Sequence, residues 1–156
     1  MSTLDVLVAI QSSALSHALR KSNHLVGAAL QIVHVLGVIL LLSSLVLVSL
    51  RLFQIALAKQ DLRDITRDAS RLLWLGLALA VISGVLMFIS SPRLYYYNKA
   101  FELKMLLLAL AVLVQITLQR TLVRAEPAPG LARASVVLAL LCWFGVGLAG
   151  RIIGFI

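Results

Sequence analysis

Four long apolar runs limit this chain to one kind of fold. They cover about residues 24–50, 72–90, 101–118 and 131–152. A helix needs about 20 apolar residues to cross the roughly 30 Å hydrocarbon core of a bilayer, and each run is near that length. Backbone amides inside lipid must bond within their own segment, which favours helices over strands. The runs therefore predict an all-α integral membrane protein, a four-helix bundle.

The segment before the first run is too polar to span a bilayer. Its apolar residues keep helical spacing among polar ones: Leu4, Val8, Leu15 and Leu19. Such a segment is typical of an amphipathic helix lying in the membrane interface. We expect two parts, an interfacial amphipathic helix over residues 1–22 and the transmembrane bundle over residues 23–156.

The positive charge of the chain lies between the apolar runs. The net charge is +8, but only 13% of residues are charged, against about 25% in a soluble domain. Basic residues in such places meet lipid headgroups and orient helices, so we expect the lipid bilayer and no nucleic acid as partner. Eight Lys and Arg lie in or next to the first and third loops, and six lie on the other side. This bias predicts a bacterial inner-membrane protein with both chain ends in the periplasm.

The first loop, residues 51–71, is predicted to continue the first helix into water. Its basic residues recur every four positions and form one ridge: Lys59, Arg63, Arg67 and Arg71. Asp64 and Arg67 have the spacing of an ion pair on a helix. The third loop, residues 125–130, contains two prolines and a glycine and is predicted to be a helix-breaking turn.

Small residues in the second and fourth runs indicate helix packing. Gly76, Ala80 and Gly84 repeat every four residues, a stripe that lets a neighbouring helix approach closely. The fourth run contains Gly145-x-Gly147-x-x-Gly150. This spacing occurs in dinucleotide-binding loops, but those follow a strand. Inside a membrane helix it predicts packing, within the bundle or in a dimer.

The first run carries the most informative polar residues. His24, Gly27, Gln31 and His34 fall within an arc of about 80° on a helix. Polar groups inside hydrocarbon are costly and therefore functional candidates, and we expect this stripe to face the bundle interior. A histidine near mid-membrane beside glycines suits a b-type haem, because imidazole supplies an axial nitrogen and glycine leaves room for the macrocycle. His34 and His24 are the candidate ligands, for haem iron or another metal, and Gly27 and Gln31 are further candidate cofactor contacts.

Two other interpretations of this stripe stay open. In the first, His34 is a neutral structural histidine bonded to a neighbouring helix, and Gln31 belongs to the same polar seam. In the second, the stripe serves a metal ion or a proton path. All three histidines precede the second run, so two spans of one chain cannot each supply a histidine to one haem. Other sources for a second ligand are a lysine, a second copy of the chain, His17, Met87 or Met105.

The third run adds a charged candidate, Lys104. It shares a face with Gln115 to within about 20°. Lys104 either snorkels to the headgroups or neutralises a haem propionate, with Arg151 as a second such cation. Glu102 is expected to pair with Lys99 or Arg151. No nucleophile, base and orienting acid come together, so we predict no catalytic residues and a redox or accessory subunit rather than a stand-alone enzyme.

Several short motifs are similar to a known group of proteins. They are His34-Val35-Leu36-Gly37, Leu50-Arg51-Leu52, Ser83-Gly84-Val85-Leu86-Met87-Phe88 and Asn98-x-x-Phe101-x-x-Lys104-Met105. Over nearly the whole chain this set resembles a family of small uncharacterised bacterial membrane proteins. More distantly it resembles the membrane domain of copper-resistance D-type proteins and small four-helix protoporphyrinogen oxidases, some of which bind haem b.

The resemblance implies that His34 is the functional intramembrane histidine and that Arg51, Asn98 and Lys104 are characteristic polar positions. The chain departs from the family at Ser49, where an acidic residue is common, so Arg51 needs a different partner.

These observations lead to one main hypothesis and two rivals. The main one is a b-type haem protein that transfers electrons or anchors a redox partner, with His34 as axial ligand and His24 as second ligand or propionate contact. Lys104 and Arg151 would neutralise the propionates. The first rival is a non-catalytic accessory subunit of a larger membrane complex or homo-oligomer. The second is copper handling by His24, His34 and Met105, which the few methionines disfavour because copper(I) prefers sulfur.

Overall fold

The computed structural model describes residues 3–21, 24–124 and 129–155, which form seven helices. They are α1 (Thr3–Gln11), α2 (Ala14–Lys21), α3 (His24–Leu52), α4 (Leu62–Ser90), α5 (Pro92–Tyr96), α6 (Lys99–Arg124) and α7 (Pro129–Ile152). These ranges contain no strand, which confirms the predicted all-α class. Four helices are long and apolar enough to cross a membrane: His24–Leu52, Leu62–Ser90, Lys99–Leu122 and Gly130–Ile152. The chain is a multi-pass membrane protein.

The N-terminal segment forms two helices where one was predicted. The break falls at two serines whose side chains bond to the backbone. The Ser13 hydroxyl donates to the Ile10 carbonyl at 2.7 Å and accepts from the Ser16 amide at 3.2 Å. Such local bonds compete with a continuing helix. Helix α2 packs against α4, and α1 packs against α5, with Leu7 and Ser16 buried. Ser22 and Asn23, the predicted end of the segment, lie outside the described residues.

The first loop was predicted to extend the first span, but its helical part belongs to the second. Helix α3 ends at Leu52, and Gln54 and Leu57 adopt left-handed backbone conformations with φ of 57° and 58°. Helix α4 then begins ten residues before the predicted run, because the Asp61 carboxylate caps it by accepting from the Arg63 amide at 2.7 Å.

The predicted Asp64–Arg67 ion pair does not form among the described residues. Arg71 instead pairs with Asp68 at 3.6 Å. Residues 125–128 of the predicted proline turn lie outside the described residues, and α7 begins at Pro129.

Two tightly packed helix pairs, α3 with α4 and α6 with α7, form the bundle, and contacts of α3 with α7 and α4 with α6 close the ring. The α3–α4 crossing is a backbone contact at two glycines. A Cβ on Gly76 would lie 2.6 Å from the Gly37 carbonyl oxygen, and one on Gly37 would lie 2.7 Å from that of Gly76. The predicted close approach along the Gly76-Ala80-Gly84 stripe is therefore confirmed.

One half of the bundle is filled by apolar side chains. We call it the apolar half: it lies on the side of the loop at residues 53–61. Its buried core includes Leu41, Leu45, Val48, Leu73, Leu118, Leu122, Val136 and Ala139. A buried hydrogen bond ties α7 to α6 there, since the Trp143 indole donates to the Gln115 side-chain oxygen at 3.3 Å.

Candidate functional site

The opposite half of the bundle contains His34, on α3 one turn from the Gly37–Gly76 crossing. Its Nδ1 lies 2.8 Å from the Ala80 carbonyl oxygen and 3.2 Å from the Ser83 hydroxyl, both on α4. A carbonyl oxygen can only accept, so Nδ1 carries the proton and donates. In a neutral ring, Nε2 then keeps its lone pair. The geometry therefore leaves one nitrogen of this half-buried ring available to a ligand.

Glycine lets α4 lie against the imidazole. A Cβ on Gly84 would lie 3.2 Å from Cε1 of His34 and 3.5 Å from its Nδ1. A methyl group at this distance would press on the ring, which is held by its bond to Ala80. Gly84, the third member of the predicted small-residue stripe, thus makes room for the His34 side chain, whereas Gly76 makes room for the backbone of α3.

A half-buried cation from the opposite side of the bundle faces this region. The Lys104 side chain of α6 runs over Gly150 of α7, whose added Cβ would lie 3.3 Å from Nζ. The Lys104 charge acts on His34. Within the part of the chain that the structure describes, its ammonium has no ion pair or hydrogen bond. A half-buried ammonium with no protein partner can bind an anionic group.

We call the set of His34, Ser83, Gly84, Lys104 and Gly150 the His34 site. Its members come from all four spans. Lys104 lies on the interior side of α6 with Gln115, which is 3% exposed, and this confirms the predicted shared face.

The chain segments that flank the His34 site are held rigidly. Asn98 caps α6, since its side-chain oxygen accepts from the Ala100 amide at 2.9 Å. Its side-chain nitrogen donates to the Ile153 carbonyl at 3.3 Å, which joins the start of α6 to the end of α7. Asn98 is 9% exposed. The polar position implied by the family resemblance is thus a structural tie between two spans.

Three aromatic rings pack together one turn further along α4 and α6. Phe88 stacks on Phe101 with centroids 5.5 Å apart, and Tyr95 lies 5.6 Å from Phe101. Burial raises the pKa of the Tyr95 phenol above its ordinary value. Tyr95 was not among the predicted site residues, because three consecutive tyrosines, at residues 95–97, are typical of an aromatic belt at the membrane interface. The spacing along the helices could have predicted that these rings lie near the His34 site, because Phe88 follows Gly84 by four residues and Phe101 precedes Lys104 by three.

The expectation that the whole polar stripe of α3 faces the bundle interior is wrong for three of its four members. His24, Gly27 and Gln31 are exposed, and only His34 is half-buried. A Cβ on Gly27 would meet nothing within 4 Å. The physical reason is that all residues in 24–33 except Leu30 are exposed, so the start of α3 stands apart from the other helices. The structure therefore does not bring His24 to the His34 site.

Arg151 also lies away from Lys104. It is exposed, and its guanidinium lies over the Phe155 ring, 5.7 Å from the centroid. Glu102 takes the first of its two predicted partners, Lys99, at 3.4 Å. Arg51, which lacks the family's acidic neighbour, donates instead to the Gln60 carbonyl at 2.7 Å.

The glycine run of α7 serves packing at one position only. Gly145 lies in ordinary contact with Leu107, with 3.5 Å between the added Cβ and Cδ1, whereas Gly147 has nothing within 4 Å. Gly150 leaves room for the Lys104 side chain. The run lies inside a continuous helix, which does not have the strand–turn–helix geometry of a dinucleotide loop.

The described residues contain no group of three or more histidine, cysteine or acidic side chains placed to hold a metal ion. For the copper hypothesis, Met105 is 40% exposed and His24 is exposed on another part of α3. Of the three residues in the copper hypothesis, only His34 is half-buried.

Comparison with known proteins gives one match. Residues 10–156 match a family described as a family of unknown function (DUF6644). No curated protein and no solved structure matches the chain. The predicted resemblance to an uncharacterised family is thus confirmed. The more distant likeness to copper-resistance D-type proteins and protoporphyrinogen oxidases has no support from these comparisons.

Proposed function

This chain belongs to that family of unknown function, DUF6644. From the geometry of the His34 site, we propose that the protein binds a b-type haem through His34. In this proposal the protein transfers electrons or anchors a redox partner in the membrane. The observation that carries it is the 2.8 Å contact between His34 Nδ1 and the Ala80 carbonyl.

This contact matters because it fixes both the tautomer and the ring orientation. Histidines that bind metals commonly donate their other ring N–H to a backbone carbonyl or carboxylate, which aims the ligating nitrogen and raises its basicity. The Ser83 hydroxyl gives the same proton a second acceptor at 3.2 Å. Its own hydrogen is directed to the Leu79 carbonyl at 2.6 Å. Nε2 of His34 would thus be oriented in advance to bind the iron.

The charge near His34 supports an anionic cofactor. Haem b carries two propionates, and Lys104 offers a half-buried ammonium with no described protein partner. Bound haem would supply one-electron chemistry, while the chain itself supplies an axial nitrogen, a counter-charge and an apolar surround. Arg151 and Gln31 point elsewhere in the single chain, so their proposed haem contacts would require another copy or a rearrangement.

The haem proposal has two forms, which differ in whether His24 binds the same iron as His34. His24 is exposed and lies about 15 Å along α3 from His34, so one chain does not place both imidazoles on one iron. In the isolated chain, His34 would therefore bind the iron without His24, and any second ligand would have to come from another source.

The test is the visible spectrum of the full chain, purified in detergent after expression with haem supplied. We expect a Soret band that is lost in His34→Ala and retained in His24→Ala, a matched control on the same helix. A colourless wild-type protein, or a band that survives in His34→Ala and disappears in His24→Ala, would overturn the proposal.

A second candidate function, the accessory subunit, rests on a different observation. His24 and Gln31 are polar and exposed on a helix otherwise covered by apolar residues, and polar groups in hydrocarbon seek partners on other helices. Cross-linking of membranes followed by size analysis distinguishes the two. A stable complex with another membrane protein, from a chain that never binds haem, would favour the accessory role.

We also propose that the protein lies in a bacterial inner membrane with both termini in the periplasm. The support is the excess of Lys and Arg in or next to the first and third loops, eight against six on the other side. Reporter fusions at Lys59 and at the C-terminus test it. An active periplasmic reporter at Lys59 would reverse the orientation.

A further inference from the structure

A groove far from the His34 site opens at the other end of the bundle, between the end of α3, the loop at residues 53–61 and the start of α4. Its volume is about 430 Å³, within the roughly 300–1,000 Å³ of small-molecule sites. Its walls are mostly apolar, with Leu47, Leu57, Ile65 and Leu72 among its lining residues. Leu57 is held there by a left-handed backbone conformation, φ 58°.

Carboxylates line one side of this groove. Asp61, Asp64 and Asp68 recur at spacings of three and four along α4 and all contribute to its lining. They are three of only six acidic residues in a chain of net charge +8. Asp61 caps α4 and Asp68 pairs with Arg71, whereas the Asp64 carboxylate has no bond or ion pair with any described residue. The groove is thus a local negative site in a basic protein and complements a cation.

The position of the groove indicates that the cation belongs to a lipid. Leu47 and Leu72 belong to helices that can cross a membrane, so the apolar wall is continuous with the lipid-facing surface. Arg71, which pairs with Asp68, is the last residue of the basic ridge and lies on the same helix. A ligand here meets apolar side chains and carboxylates, and the Arg71 guanidinium lies just outside the groove, 3.6 Å from Asp68.

We infer that this groove binds a phospholipid with a primary ammonium headgroup, such as phosphatidylethanolamine. The ammonium donates to Asp64, the phosphate meets Arg71 or its neighbours in the ridge, and an acyl chain lies along Leu47 and Leu72. A primary ammonium has three N–H donors, whereas a choline headgroup has none, so the carboxylates select between two lipids of the same net charge. This inference is independent of the haem proposal.

The test is a lipid titration of the detergent-purified full chain, followed by native mass spectrometry. The probes are phosphatidylethanolamine, phosphatidylcholine and phosphatidylglycerol with identical acyl chains. We expect one saturable site that prefers the ethanolamine lipid. Asp64→Asn should weaken that binding about tenfold, the loss typical of one charge-assisted hydrogen bond, and leave phosphatidylcholine binding unchanged. Glu102→Gln, an exposed carboxylate at the other end of the bundle, is the matched control.

Three outcomes would overturn the inference. One is equal binding of the ethanolamine and choline lipids, and another is an ethanolamine affinity that Asp64→Asn does not change. The third is a dimer that forms with every lipid and is lost in Asp64→Asn, which would place the basic ridge of a second copy in the groove.

Discussion

The two halves of the bundle are built by different interactions. In the apolar half, Leu45 and Val136 are 1% and 0% exposed, and side chains fill the space between the helices. In the other half, His34 and Lys104 are half-buried, and the start of α3 stands clear of its neighbours. Because lipid is as apolar as leucine, packing rather than water exclusion holds membrane helices together. The apolar half therefore supplies the stability of the bundle and leaves the His34 half free to hold a polar site.

Removal of a buried side chain from the apolar half should have the largest effect. Leu45→Ala leaves a cavity and should lower the free energy of unfolding by about 3 kcal/mol. Leu25→Ala, at a position 61% exposed in the other half, should change it little. Unfolding in detergent, followed by circular dichroism, measures both. Equal losses would show that the two halves do not differ in packing.

The helix crossing joins the halves, and its disruption should affect both. In Gly76→Ala the new methyl would lie 2.6 Å from the Gly37 carbonyl oxygen and 2.7 Å from the Leu41 amide nitrogen. The helices must separate, and we expect a loss of about 2 kcal/mol together with a weaker Soret band. Gly27→Ala, which meets nothing within 4 Å, is the control. A Gly76→Ala protein as stable as that control would contradict the close crossing.

A polar contact inside the apolar half should matter less than its packing. Trp143→Phe removes the donor to Gln115 while it keeps most of the ring volume, and leaves a buried side-chain oxygen without its partner. We expect a loss of about 1 kcal/mol and an unchanged Soret band. A spectral change would mean that the two halves are coupled through α7. The same unfolding measurement and the visible spectrum report both quantities.

The smallest effect concerns the aromatic cluster that flanks the His34 site. Burial raises the pKa of Tyr95 above its ordinary 10.0, so the folded protein retains this proton more strongly than the unfolded chain. The resulting stabilisation is fully present below pH 10 and is lost as the pH rises through the folded-state pKa. Titration of tyrosinate absorbance, compared between wild type and Tyr95→Phe, should assign the late-titrating phenol to Tyr95. A Tyr95 phenol that ionises at its ordinary pH would show that the cluster is open to water.

Much of the fold was predictable from local sequence. The apolar runs identified four spans because length and hydropathy alone decide whether a helix can cross a bilayer. The boundary near Leu62 was not predictable from hydropathy, because α4 starts in a charged segment where Asp61 supplies the cap. The break between α1 and α2 also has a local cause, the side-chain bonds of Ser12 and Ser13. It was not predicted, because the apolar residues keep their helical spacing across the break.

The amino-acid sequence was sufficient to predict an all-α membrane protein, a close approach of small residues of α4 to a neighbouring helix, and His34 as a candidate ligand. The folded chain was needed to show that His34 turns toward Ala80 and Ser83, whereas His24, Gly27 and Gln31 do not face the interior. It was also needed to show that Gly150 makes room for Lys104. The reason is that periodicity places residues on one face of a helix but does not say how far neighbouring helices extend along it. At the Gly37–Gly76 crossing α4 reaches His34, and the first turns of α3 lie beyond that reach.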